Sequence, residues 1–229
     1  MKKIIIFGFP HSGTTILRCI IGHIDEVQEI VDEITDFDKD ITINNLSENK
    51  THYLLKTPYT NASYFSDKYK SIIKIFIIRN PLWIFSSLNK RFIDNIPEKH
   101  KIEDYFDTIK LFIEYKNNPQ ENLFLIKYED LFENNNKNIK DLLNKIGLKY
   151  NDNIFDNKNF KNKCQFCSDE IPNFLPYNTN HNVFRHYQIN QPFVNNNTLD
   201  KIYLTDEQKN TIINNKDVKI IYEDIENIV

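Results

Sequence analysis

One segment, residues 4–21 (IIIFGFPHSGTTILRCII), constrains this chain more than any other. An unbroken apolar run, a short turn carrying Gly8 and Gly13, and a following helical stretch describe a buried strand passing through a tight loop into a helix. A loop that leaves the end of a parallel strand lies where α/β sheets bind ligands. Its backbone N–H groups, with the dipole of the helix that begins near Gly13, favour an anion. Ser12, Thr14 and Thr15 add hydroxyl donors.

Apolar runs and helical patterns alternate along the chain beyond this segment. HYLLK (52–56), SIIKIFIIR (71–79) and NLFLIKY (122–128) read as strands, the second being the strongest. The spacing predicts helices over 14–23, 81–95 and 102–115, the last with apolar residues at 102, 105, 106, 109, 112 and 113. A further helix over 138–148 should end at Gly147. Thr205 and Gln208 form a capping-box arrangement that starts a helix over 205–213. Such β–α alternation predicts an α/β fold: a three-layer, P-loop-type parallel sheet flanked by helices. The expected organisation is a single domain, 1–229, with a nucleotide-binding core over 1–148. The Asn-, Pro- and aromatic-rich remainder, 149–229, should be a loop-rich part covering the site.

Composition narrows the function classes. A formal charge of −3 offers no electrostatic case for a nucleic-acid partner. No apolar run approaches the roughly 20 residues that span a bilayer, and the apolar stretch 4–7 is far shorter than a signal-peptide core of about 7–15 residues. The expectation is a cytoplasmic protein with no membrane partner. Cys164 and Cys167 form a single C-x-x-C with no second pair and no well-spaced histidines, too few ligands for zinc.

The P-loop pattern G-x-x-x-x-G-K-[ST] places lysine after its second glycine, whereas Gly13 is followed by Thr14 and Thr15. A nucleotide kinase would also carry an acidic residue at the end of a strand such as 71–79 to hold Mg²⁺. That position is Arg79; Asp130, beyond another strand, is a weak substitute. After Arg79, Asn80 can cap and Pro81 suits a first helical turn, while Ser87 and Arg91 stand four apart on one helix face. An arginine at the strand edge with a serine and a second arginine from the next helix makes a fork for another phosphate. The ligand implied carries one anion at the loop and another near Arg79, without a metal-bound triphosphate.

These residues resemble the PAPS-dependent sulfotransferases, closest in flavour to the tyrosylprotein and bacterial carbohydrate-type branches. Pro10, His11, Ser12, Gly13, Thr14 and Thr15 match the family's 5′-phosphosulfate loop, and Arg79, Ser87 and Arg91 its 3′-phosphate signature. YEDL (128–131) matches a third motif, whose tyrosine, here Tyr128, commonly lies near the nucleotide. The order and settings agree over roughly residues 3–148. The resemblance implies sulfuryl transfer from PAPS to an acceptor hydroxyl or amine, giving PAP, by in-line attack without a metal. It also implies a small-molecule, carbohydrate or peptide acceptor.

The main departure is His11, which stands where the family often has Lys or Arg beside the departing group. It serves as a cation if protonated and as a hydrogen-bonding group if neutral. Lys56, at the end of its strand in LLKTPYT, is a compensating catalytic cation that also fits the resemblance. Glu33 is the favoured base, with Glu29 and Asp32 as neighbouring alternatives and His52 as a weaker candidate. Arg185, in the segment expected to fold over the donor, is a further candidate ligand. Two rivals stand beside this reading. One is a P-loop nucleoside or nucleotide kinase; the other is a non-catalytic module that binds PAPS or another anion.

Overall fold

The computed structural model describes residues 2–33, 47, 49–60, 62–91, 100–156, 195, 197 and 202–228. Five parallel strands form its sheet: β1 (Lys2–Phe7), β2 (Val27–Glu33), β3 (His52–Thr57), β4 (Ile73–Ile78) and β5 (Leu123–Lys127). Their spatial order is β2-β3-β1-β4-β5, with every neighbouring pair parallel. β1 is therefore central, and the loop that follows it emerges midway along the sheet's C-terminal edge.

Side-chain alternation along the strands divides the core between two faces. Ile4 and Ile6 of β1, with Ile75 and Ile77 of β4, pack with Leu17 and Ile20 of helix α1 (Thr14–Gly22) and with Leu142 and Leu143 of α4 (Lys137–Lys145). Ile5, Phe7, Phe76 and Ile78 point the other way. They meet α2 (Pro81–Arg91), α3 (Ile102–Asn117), α5 (Asp206–Ile213) and α6 (Lys216–Ile221) through Leu82, Phe85, Ile109, Phe112, Ile212 and Val218. This is the expected three-layer α/β arrangement.

Local signals place most boundaries. Gly147, at φ +79, follows the end of α4, and Leu148 N donates to Leu143 O at 3.0 Å, a glycine-closed helix end. At α5, Thr205 Oγ1 accepts from Gln208 N, while Gln208 Oε1 accepts from Thr205 N, closing the expected capping box. β2 is the unanticipated element. Its sequence, VQEIVDE, reads as an acidic turn because three of seven residues are carboxylates. Among the described residues it pairs only with β3, at the sheet edge, where charge is tolerated.

Candidate functional site

The loop after β1 is shaped by two close approaches. A Cβ on Gly8 would lie 2.2 Å from Ile77 O of β4, so only glycine allows the chain to turn so near its neighbour. Gly13 has φ +99, and a Cβ there would lie 2.4 Å from Cδ2 of Tyr128. Between them His11 takes the left-handed conformation, φ 66, a local strain common at ligand sites. Ser12 N donates to Phe9 O at 3.1 Å, which closes the turn. Pro10, Ser12 and Thr14 are buried, and His11, Gly13 and Thr15 half-buried.

Neighbouring strand ends converge on this loop. Lys56 lies on the same face of β3 as Leu54, which packs with α1, and its Nζ donates to Thr15 Oγ1 at 2.8 Å. The next residue, Thr57, stands opposite Phe7 at the end of β3. Its Oγ1 and Ser12 Oγ are buried hydroxyls without a hydrogen-bond partner among the described residues. Groups left so normally cost stability, and they are what an incoming anion would satisfy. Glu33 closes β2 as the Cα partner of Lys56, which brings the favoured base candidate beside the candidate cation along the backbone.

Arg79 follows β4 and is 9% exposed. Its guanidinium lies over the ring of Tyr128, with 4.3 Å from Cζ to the ring centroid. Nη1 donates to the His11 carbonyl at 3.2 Å, tying the first loop to the end of β4. Nε and Nη2 donate to Asn197 Oδ1 at 2.9 and 2.6 Å. Asn197 Nδ2 in turn donates to Glu129 Oε1 at 3.0 Å, and that oxygen also accepts from Asn80 N at 3.0 Å. The buried Tyr105 hydroxyl donates to the Arg79 carbonyl. Burial pulls the Arg79 pKa down, against the opposing influence of Tyr128 and Glu129, but a guanidinium stays charged in proteins. Burial likewise pushes Glu129 up, only partly offset by hydrogen bonds from Asn80, its own backbone and Asn197 and by the charge of Arg79.

His11 joins the two positions. Its Nδ1 is 2.7 Å from Ser87 Oγ on α2, while its carbonyl holds Arg79. Ser87 thus meets the second position through His11 rather than through Arg79 itself. Arg91 is the last residue of α2, and its side chain lies outside those described. Arg185, Cys164 and Cys167 also lie outside the described residues.

Three secondary candidates make other contacts. Glu29 forms a 2.8 Å ion pair with the buried Arg18 of α1, a contact between helix and strand. His52 opens β3 at the far end of the sheet from the loop, beside Thr51, whose Oγ1 is 2.8 Å from its Nδ1. Burial, the largest influence, holds its imidazole below the usual pKa. Asp130 turns back on its own segment: it accepts from Lys127 N at 3.4 Å and pairs with Lys127 Nζ at 3.5 Å.

The sequence model of the sulfotransferase domain family matches residues 59–191, more than half of the chain and including Arg79, Ser87, Arg91 and Tyr128. The chain belongs to that family. Its fold is similar to the crystal structure of mouse sulfotransferase SULT7A1 complexed with PAP, with a TM-score of 0.62 at 19% identity over 98% of this chain and 89% of that one. A retinol dehydratase in complex with retinol and PAP also aligns, with a TM-score of 0.44 at 13% identity over 71% of this chain and 67% of that one. No curated protein matches by sequence. In this sulfotransferase fold, residue-level reasoning missed Thr57, Tyr105, Glu129 and Asn197 as parts of the site. Glu129 carried a signal, since it adjoins Tyr128 in YEDL; Asn197, one of several asparagines in VNNNTL, carried none.

Proposed function

We propose that this sulfotransferase uses PAPS as donor and passes its sulfuryl group to an acceptor hydroxyl or amine, releasing PAP. The observation that carries the reading is the Arg79 guanidinium tied to the loop through the His11 carbonyl, which sets a cation suited to one anion beside a loop suited to another. PAPS has two anionic groups so disposed, a 5′-phosphosulfate and a 3′-phosphate. The buried, unpartnered hydroxyls of Ser12 and Thr57 fit the first of these.

Transfer requires the acceptor's O–H or N–H to lose its proton as its oxygen or nitrogen bonds to sulfur. The bond from sulfur to the bridging oxygen breaks, and PAP departs with that electron pair. Loop amides and the α1 dipole stabilise the charge on the transferring group. Lys56, held by Thr15, supplies a cation at the same end of the sheet. His11, oriented by Ser87, is the second group facing the leaving oxygen, and protonation makes it a cation there. Glu33, in register with Lys56, is the acceptor's base. Arg79, Ser87, Arg91 and Tyr128 take the nucleotide's 3′ side, and Arg185 completes it from the C-terminal part. The acceptor belongs to the small-molecule, carbohydrate or peptide classes.

A kinase would need a metal-holding carboxylate near the loop. Arg79 occupies the strand end where one would stand, and Asp130 is engaged with Lys127. The test is thermal unfolding with PAP, with ADP, and with ATP plus Mg²⁺ at matched concentrations. A ligand at 100 times its Kd raises apparent stability by about 2.7 kcal/mol. Stabilisation by PAP well beyond ADP is the expected result. Stabilisation by ATP only with Mg²⁺ would overturn the reading in favour of a kinase.

A further inference from the structure

We propose that Asn197 is a built-in competitor for the second anion position, occupying in the empty enzyme the hydrogen-bond positions on Arg79 that a 3′-phosphate takes when the donor binds. The inference rests on the donor reading above and concerns a residue which that reading does not use.

The geometry of the carboxamide carries the argument. One oxygen, Asn197 Oδ1, receives both Nε–H and Nη2–H of Arg79, the two-hydrogen edge with which a guanidinium grips an oxyanion. The amide's orientation is fixed by chemistry: its oxygen must face the guanidinium, which only donates, and its NH₂ must face the Glu129 carboxylate. The third Arg79 contact, from Nη1, goes to the His11 carbonyl, and the face of the guanidinium is covered by Tyr128. These contacts use three of the guanidinium's five N–H groups, and its side-on Nε–Nη2 edge, the one suited to a bidentate oxyanion, is the edge Asn197 holds. A phosphate and the carboxamide oxygen cannot both take it.

A neutral carboxamide is a weaker acceptor for a guanidinium than a phosphate dianion. It can keep Arg79 fixed and hydrogen-bonded until a phosphate arrives and then yield. A nucleotide ending in a ribose hydroxyl offers no charge with which to displace it. Displacement also frees the Asn197 NH₂ from Glu129, so the contact that positions Glu129 against Asn80 changes in the same event. Tyr203 is tied to α2 separately: its N donates to Ser86 Oγ at 2.9 Å, and Asn89 Nδ2 donates to its carbonyl at 2.6 Å.

The experiment is titration calorimetry on the full chain with adenosine 3′,5′-bisphosphate and with adenosine 5′-monophosphate, which lacks the 3′-phosphate. Asn197→Ala removes the competitor and should tighten the bisphosphate by about three- to tenfold, the scale of a net hydrogen bond, with the monophosphate unchanged. Asn197→Ser, too short to reach the guanidinium, should follow the alanine variant and covers the case in which that variant folds poorly. Asn197→Asp places a charge where the phosphate must come and should weaken the bisphosphate alone. Weaker or unchanged bisphosphate binding in both shortened variants overturns the proposal, as does an equal shift for the two ligands. If the unaltered protein binds both nucleotides equally, the 3′-phosphate reading itself fails, and the proposal with it.

Discussion

At the first proposed anion position, Ser12 Oγ and Thr57 Oγ1 are buried and unbonded among the described residues, at a loop bent by two glycines. At the second, Arg79 is held on three sides by His11, Asn197 and Tyr128, and Glu129 braces Asn80 and Asn197. The contrast follows from chemistry. Amides and hydroxyls are neutral, so leaving some unsatisfied costs on the order of 1–3 kcal/mol each. A buried guanidinium left without partners would cost far more, so its site must be furnished even when empty. One position is preorganised by backbone shape and the other by a charge network.

Replacing the charge breaks that comparison most severely. Arg79→Met takes the donors from Asn197 Oδ1 and the His11 carbonyl and should cost about 1–3 kcal/mol of stability for each acceptor left unsatisfied, measured by urea unfolding. Arg79→Lys keeps the charge but loses the two-hydrogen edge. It should retain more stability yet bind adenosine 3′,5′-bisphosphate and adenosine 5′-monophosphate with similar affinity. If the lysine variant still strongly prefers the bisphosphate, the second position does not depend on the fork.

At the first position shape is the target. Gly13→Ala meets both the positive φ and the Tyr128 ring and should cost about 2–4 kcal/mol. Gly147→Ala is the control: its φ is also positive, but nothing lies within 4 Å of the added Cβ, so only the backbone strain of about 1 kcal/mol remains. Equal costs at the two sites in thermal or urea unfolding would mean that the approach of Tyr128 to the loop contributes nothing.

The strand, turn and helix around the first loop were legible in the sequence because their information is local. An apolar strand, two glycines, three hydroxyl residues and a helix follow one another between Ile4 and Ile21. Arg79 was legible for the same reason, since it ends the most apolar strand and precedes Asn80 and Pro81. The partners of Arg79 were not. Asn197 is 118 positions away, and the choice of this asparagine over its neighbours depends on tertiary distances alone. β2 was hidden by its acidic composition, because an edge strand is specified by backbone pairing with β3 more than by alternation. Glu33 was singled out as a base candidate near Lys56 without its strand, and the sheet register makes the two Cα partners.

The smallest effect is expected at Glu129 and tests whether the second position's network is electrostatically at rest. Burial raises the carboxyl's pKa in the folded protein above the ordinary unfolded value of about 4.3, despite the nearby Arg79. Between those two values the folded state keeps a proton that the unfolded state has released. Stability attributable to this group therefore falls as pH rises through that window, and the loss is complete above the folded-state value. Glu129→Gln retains an acceptor for Asn80 N and Asn197 Nδ2 while removing the buried negative charge. The variant should match the unaltered protein at acid pH and exceed it above the window, by on the order of 1 kcal/mol or less. Urea unfolding across that pH range reads the difference. A variant less stable at neutral pH than at acid pH, relative to the unaltered protein, would show that attraction between Glu129 and Arg79 outweighs burial. The second position would then be an ion pair bridged by Asn197, not a cation furnished with neutral acceptors.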